Sequence, residues 1–378
     1  MASATKVLHS IPPVSPQDVF PGPRAFKVEE SNLFFGRERE GEQLTDLLLT
    51  YQDVLLYAQS GAGKTSLINA RLVPQLGIEN CHVARVGGEL PPGILLATVP
   101  NIFVYNLISS TVQDANQTSV AMQTTLEDYF RTPADRENTF LIVDQLEELF
   151  TAYPERWTDR RPFLEHLRSL LKLNPNLHLL FAIREEYMAA LEFYADLFPN
   201  HLHIRYYLQG LRSKEASEAI RGPFSVSGFT MDADLSGKLV DNLRTVPVKT
   251  PRGPITILGE FVEPLHLQVV CQNLVSQLKS GASAITKDQV STFADVDQAL
   301  SEFYQRALAI TARETNVAEA KIRRWFDEEL ITAAGTRAIV FQGETETAGL
   351  PNQAASVLAR QNVIRGELRA GAVVRAYP

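Results

Sequence analysis

The chain reads as an α/β domain on a parallel sheet of about five strands, followed by a helical domain and a small C-terminal domain of alternating helices and strands. Three observations predict it: short apolar runs alternating with helical stretches up to Leu211, helical periodicity alone for the next hundred or so residues, and a helix, strand, helix, strand succession from Ala318. Apolar residues make up 45% of the 378 and charged ones 21%, so packed cores form and a disordered chain is excluded. At roughly 150 residues per domain, two or three domains are expected.

Residues 1–17, with Pro12, Pro13 and Pro16 among small polar residues, read as a flexible lead-in. The α/β domain is expected over 18–210, with candidate strands Val54–Ala58, Val83–Val86, Phe140–Val143, Leu177–Ile183 and Ile204–Leu208. Each is too short for a core helix. Pro162–Leu173 puts Phe163, Leu164, Leu167, Leu170 and Leu171 on one face, which marks an amphipathic crossover helix. A helical domain over 211–312 carries Ser213–Ile220, Asp232–Asn242, Pro264–Leu278 and Asp295–Thr311, and nothing between them reads as a strand. The last domain, 313–378, has Ala318–Leu330, Ala338–Phe341, Asn352–Gln361 and Val363–Leu368 in a winged-helix outline.

Val54–Ala58 runs into Gln59-Ser60-Gly61-Ala62-Gly63-Lys64-Thr65-Ser66 and then a helical stretch, the context of a phosphate-binding P-loop. Successive backbone N–H groups at a helix N-terminus cradle phosphate oxygens, and a lysine there neutralises the terminal phosphates. Ser60 to Ser66 are therefore candidate nucleotide contacts, with Thr65 also a Mg²⁺ ligand. Ala58 stands where the P-loop pattern has its first glycine, a backbone position that touches no phosphate. An ordinary glycine-rich turn is the plain alternative. The apolar strand Phe140–Val143 ends in Asp144-Gln145-Leu146-Glu147-Glu148, about 80 residues further on. Asp144 is expected to hold Mg²⁺ opposite Thr65, and Glu147 or Glu148 to orient the attacking water, with Glu147 favoured because the other opens a helix. Arg184, at the end of the next strand, is a candidate cation for the terminal phosphate, its alternative being an ion pair with Glu185 or Glu186. Gly36 and Arg37 in Phe34-Phe-Gly-Arg-Glu-Arg-Glu40 could sit by the base.

These motifs, in order, resemble those of the bacterial novel STAND NTPases. The residues that carry the resemblance are Phe20-Pro-Gly-Pro-Arg-Ala-Phe26, Leu33-Phe-Phe-Gly-Arg-Glu-Arg-Glu40, Ser60-Gly-Ala-Gly-Lys-Thr-Ser66, Asp144-Gln-Leu-Glu-Glu-Leu-Phe150 and Glu263-Pro264-Leu-His-Leu-Gln268. Leu330-Ile-Thr, Gly335-Thr-Arg337 and Gly349-Leu-Pro-Asn352 extend it into the winged-helix outline. The resemblance implies a slow ATPase that works as a switch: ADP holds a closed monomer, and exchange for ATP with Mg²⁺ permits homo-oligomerisation and activates an effector in bacterial defence or signalling. It also implies that Pro264 approaches adenine, although Val262 replaces the glycine expected before it and Glu186 the aspartate expected after Arg184. A nucleotide-facing histidine is expected in a segment following the winged helix. The winged helix therefore reads as truncated at its C-terminus, and the effector as a partner in trans or a missing C-terminal domain. Back-translated with free third bases, Ala372–Pro378 read one base later is compatible with Arg-Trp-Tyr-Glu-Leu-Thr-His, so a one-base frame change near Ala372 is expected.

The second reading is an AAA-type ATPase whose winged helix binds DNA. Against it, Asn352–Gln361 holds Arg360 as its one base, and the net charge is −8. A plain metabolic kinase leaves the helical and C-terminal segments unexplained. No run nears the roughly 18 apolar residues of a membrane span, and no signal-peptide pattern is present. Cys81 and Cys271 are too few for a disulfide scaffold, so a cytoplasmic setting is expected. His201 and His203 lack ligand neighbours and read as a solvated strand end. Cys81-His82 reads as strand packing, Trp325 and Phe326 as core, and Lys321-Ile-Arg323-Arg324 as a solvated helix face.

Overall fold

Each of the five apolar runs contributes a parallel strand: the three central ones, at Val54, Phe140 and Leu177, are buried along nearly their whole length because both faces need cover, and the two edge strands, at Cys81 and Arg205, are only partly covered. The structure, a computed structural model, describes residues 19–111, 121–122, 124–130, 138–250, 253–276, 284–289, 295–331, 338–369 and 372–376. The lead-in and Gly335–Arg337 lie outside these residues.

Helix α1 (Glu38–Thr50) precedes β1 (Asp53–Ala58). The P-loop follows, then α2 (Lys64–Leu67), a π-helical turn (Ile68–Leu72) and α3 (Val73–Leu76). Next come β2 (Cys81–Ala84), α4 (Ile102–Thr111), α5 (Leu126–Tyr129), β3 (Thr139–Val143) and α6 (Glu148–Thr151). The part closes with α7 (Arg160–Leu173), β4 (Leu177–Arg184), α8 (Met188–Glu192) and β5 (Arg205–Tyr207). Strand order is β2-β3-β4-β1-β5, all parallel, so β4 lies between the P-loop strand and the acidic strand. Helix α7 buries Phe163, Leu164, Leu167, Leu170 and Leu171, the stripe expected of it, against β3 and β4 side chains such as Leu141 and Leu179. His201 and Leu202 belong to no strand: both have φ of 51° in the turn before β5, which corrects the strand-face expectation for the two histidines. His82 packs edge-on against Phe130, as strand packing requires.

The chain divides into two compact units. Among the described residues, one comprises 19–24, Asn32–Gly36 and those of Leu211–Leu300; the other holds Ala25–Ser31 and those of Arg37–Gly210 and of 301–376. In the first, α9 (Ser213–Val226), α10 (Ala233–Leu243) and α11 (Pro264–Ser276) pack through Ala216, Ile220, Leu239, Val240, Leu267 and Val270. Phe20 joins that core, edge-on to Phe224 at 5.1 Å, so the segment starting at Phe20 opens in the helical unit instead of the α/β domain. A hairpin of β6 (Thr245–Thr250) and β7 (Gly253–Leu258) stands where no strand was expected. Its alternating pattern is legible, but Pro247 and Pro254 argue against strands when read in isolation. Val246, Ile255, Ile257 and Leu258 are exposed on it.

Helix α12 (Val296–Thr315) leads to α13 (Glu319–Trp325), a π-helical turn (Phe326–Leu330), β8 (Ile339–Phe341), β9 (Glu346–Thr347), β10 (Leu350–Pro351), α14 (Asn352–Arg360), β11 (Arg365–Arg369) and β12 (Ala372–Ala376). Trp325 and Phe326 are core, and the indole N–H donates to the Thr347 carbonyl at 2.8 Å. Strand β12 pairs antiparallel with both β11 and β8, which makes it the middle strand of a three-stranded sheet. No helix among the described residues is long and apolar enough to cross a membrane.

Candidate functional site

Parallel strands end at one edge of the sheet, and there the fold collects the charged residues singled out in the sequence. The turn after β1 needs Gly61 and Gly63, whose φ values of +82° and +95° are left-handed, and a Cβ on either would meet nothing within 4 Å. The resulting open cradle ends at the N-terminus of α2, which holds Lys64, Thr65 and Ser66. Ser60 and Gly61 are exposed at its mouth, whereas Ala62 is turned inward. The Lys64 ammonium donates back to the carbonyls of Ala58 at 3.0 Å and Gln59 at 3.3 Å. Burial pulls its pKa down; Glu147 and Asp144 oppose that, and Arg184 adds to it. Three carboxylates, with Glu186 as the third, and a second cation thus act on the P-loop lysine.

Asp144 follows the all-buried β3 and accepts a 2.8 Å hydrogen bond from the Thr65 hydroxyl. The next residue, Gln145, has φ of 56°, a strained conformation held by its N–H bonded to the Asp144 carboxylate at 2.9 Å and by Leu146 N–H donating to Ala182 at 2.9 Å. That sharp turn sends two adjacent glutamates in opposite directions. Glu147, 6% exposed, accepts from Arg184 Nε at 2.9 Å and from the Arg184 backbone N–H at 3.2 Å, on the β4 side. Glu148 goes to the β2 side, where it pairs with Arg85 and accepts from Gly87 N–H at 2.9 Å. A Cβ on Gly87 would lie 2.7 Å from the Glu148 carboxyl, so glycine there is a condition of that contact. Arg184 pairs in register with Ala58, and one carboxylate partner of its side chain is Glu147.

Arg37 lies 4% exposed with its guanidinium on protein groups: Glu40 at 2.7 Å, the Gln209 carbonyl at 2.7 Å and the Ala62 carbonyl at 3.4 Å. Ser66 accepts the Phe26 N–H through its hydroxyl at 3.3 Å while Asn69 donates to the Phe26 carbonyl at 3.0 Å, which ties the N-terminal segment to the P-loop helix. Gly36 and Pro264 fall in the other unit. Gly36 has φ of +77°, with the Glu215 carbonyl 2.2 Å from where a Cβ would stand, and Pro264 opens α11. Arg85 is the site residue missed in the sequence: a lone arginine after a short strand carries no motif, and its role appears only once β2 lies beside β3.

A family model for novel STAND NTPase 1 matches residues 20–360. No curated protein matches the chain by sequence. Among solved structures, the chain is similar to the Walker-type ATPase PABY2304 of Pyrococcus abyssi, at 13% identity over 95% of this chain and 96% of that one, with a TM-score of 0.47. It is also similar to the Aeropyrum pernix ORC2 protein in its ADP form (15% identity, 94% and 91% covered, TM-score 0.42). The ORC1 protein of the same organism in complex with DNA is 11% identical, with 92% and 90% covered and a TM-score of 0.42.

Proposed function

We propose, from the premise that the chain belongs to the novel STAND NTPase 1 family, that it is an ATP-binding molecular switch in which nucleotide exchange and slow hydrolysis control assembly. The observation that supports this reading is the convergence of Lys64, Thr65, Asp144, Glu147 and Arg184 at one edge of the sheet. The open cradle at Gly61 and Gly63 would take phosphate oxygens on backbone N–H groups, and Lys64 would leave its two carbonyls for them. The hydroxyl of Thr65 and the carboxylate of Asp144 are oxygen donors of the kind Mg²⁺ prefers, already 2.8 Å apart. When bound there, Mg²⁺ would neutralise phosphate charge. Glu147 would orient the attacking water, and Arg184 would stabilise charge on the terminal phosphate.

Glu148 suits a structural role better, since a backbone N–H and an arginine hold both its oxygens away from the P-loop side. ADP would maintain a monomer. ATP would favour a homo-oligomer that activates an effector, in trans or in a C-terminal domain, in bacterial cytoplasmic signalling or defence. Arg37 would serve the adenine end by bracing the P-loop at the Ala62 carbonyl. Nucleic acid is not the proposed partner, because Arg360, the base on α14, is paired with Glu314 at 2.6 Å.

The test is calorimetric titration of ATP and ADP with Mg²⁺ into the wild type and Lys64→Ala, followed by sizing of each nucleotide complex. ATP binding that vanishes in Lys64→Ala, and a mass increase with ATP but not ADP, are expected. Undiminished ATP affinity in a folded Lys64→Ala protein would refute the site, and equal masses with both nucleotides would refute the switch.

A further inference from the structure

The two glutamates of the acidic turn are restrained in ways that differ in one respect. Glu148 is held by Gly87 N–H, a backbone group fixed by the fold, and by Arg85, whose side chain is 46% exposed. Glu147 has both carboxylate oxygens on one residue, Arg184, through Nε and the backbone N–H. That pair is buried, with Glu147 6% and Arg184 15% exposed, so water does little to weaken it. Arg184 also pairs in register with Ala58, whose carbonyl accepts from the Lys64 ammonium at 3.0 Å, so the residue that ends β4 stands beside the start of the cradle as well as on Glu147. One cation therefore faces two anionic claims.

We propose, resting on the nucleotide-binding reading above, that Arg184 is a latch on Glu147: the ion pair holds the carboxylate turned to β4, and a triphosphate competes for the guanidinium and releases it. Arginine forks bind carboxylate and phosphate alike. The terminal phosphate of ATP supplies an anion that ADP lacks, so the exchange of partners distinguishes the two nucleotides. Arg184 then acts as a positioning residue for Glu147, in addition to stabilising phosphate. Glu148 cannot take part in such an exchange, since its backbone partner does not move toward phosphate.

The latch makes a prediction that phosphate binding alone does not. If Glu147 competes with ATP for Arg184, neutralising Glu147 must tighten binding of the triphosphate, and must do so only while Arg184 is present. The experiment is a double-mutant cycle of dissociation constants for a non-hydrolysable ATP analogue and for ADP, in wild type, Glu147→Gln, Arg184→Ala and the double variant, with melting curves for each. Glu147→Gln is expected to tighten the analogue by about tenfold, the size of one charge-assisted hydrogen bond, with ADP unchanged. In the Arg184→Ala background, the same change is expected to do nothing. Equal tightening in both backgrounds would mean simple relief of charge repulsion and would overturn the latch, as would no tightening at all. If Arg184→Ala does not fold, Arg184→Gln, which leaves an amide donor for Glu147, replaces it. Lys64→Ala serves as the control: analogue binding that persists there overturns the nucleotide site itself, a separate failure from that of the latch.

Discussion

Replacing Arg37 separates a brace from a ligand. Its guanidinium makes two short bonds, to the Glu40 carboxylate and to the Gln209 carbonyl, both 2.7 Å, and a long one of 3.4 Å to the Ala62 carbonyl in the P-loop. Hydrogen bonds involving an ion contribute about 1.5–3 kcal/mol each, and removing one member of a buried pair costs about 3–5 kcal/mol. Glu40 keeps 19% of its side-chain surface in water, which places Arg37→Ala near the lower end, about 3 kcal/mol. At about 2–4 °C per kcal/mol for a unit of this size, the melting temperature without nucleotide should fall by about 6–12 °C. Arg37→Lys keeps the charge but not the fork, and should recover about half of that. Thermal unfolding without nucleotide, followed by calorimetric titration of ATP below the melting range, reads both effects. A nucleotide-free melting temperature within about 1 °C of wild type, together with a loss of ATP affinity of tenfold or more, would show that Arg37 contacts nucleotide and braces nothing.

Glu147→Gln should abolish phosphate release while Glu148→Gln reduces it by less than about tenfold, as measured by single-turnover hydrolysis; the opposite order would reassign the water-orienting role. Gly36→Ala combines a φ of +77° with a Cβ 2.2 Å from the Glu215 carbonyl and should cost more than about 3 kcal/mol in urea unfolding, whereas Gly61→Ala, with open space around it, should cost only about 1 kcal/mol. Asp53 is fully buried at the start of β1, with one oxygen bonded to Asn200 at 2.9 Å and the other without a partner among the described residues, and burial raises its pKa. Its charge therefore opposes folding above that raised value, and the penalty disappears as pH falls toward the ordinary carboxylate range. Asp53→Asn should thus be more stable than wild type at pH 7, with the gap closing on acidification; a gap that is constant or widens down to about pH 4 would contradict this.

The three central strands were legible because parallel strands covered on both faces must be continuous apolar runs; the edge strands β2 and β5, half-buried or exposed, showed as shorter and less uniform runs. The P-loop and Asp144 were legible because their chemistry is local to one strand end. Relations across the sheet were not. Whether Glu147 or Glu148 faces the P-loop depends on the left-handed turn at Gln145 and on which strands flank β3. The bond of Arg37 to Gln209 spans most of the α/β domain in sequence, and nothing near either residue announces it. The hairpin at 245–258 was hidden by its prolines, which an isolated two-stranded ribbon tolerates because its edges are unpaired.

Strand order explains why the acidic turn is wired as it is. Since β3 lies between β2 and β4, a turn leaving it meets a different strand end on each side, and Glu148 and Glu147 are drawn to Arg85 and Arg184 respectively. The P-loop strand β1 is not a neighbour of β3; β4 separates them, so the residue ending β4 stands between the phosphate cradle and the acidic turn. A cation at that position has Glu147 on one side and the start of the P-loop on the other. Glu148 meanwhile opens α6, and the C-terminal strand β11 lies against that helix. Glu148 is the part of the acidic turn tied to a backbone N–H, and Glu147 the part whose bonds run to a single residue that could exchange it for phosphate.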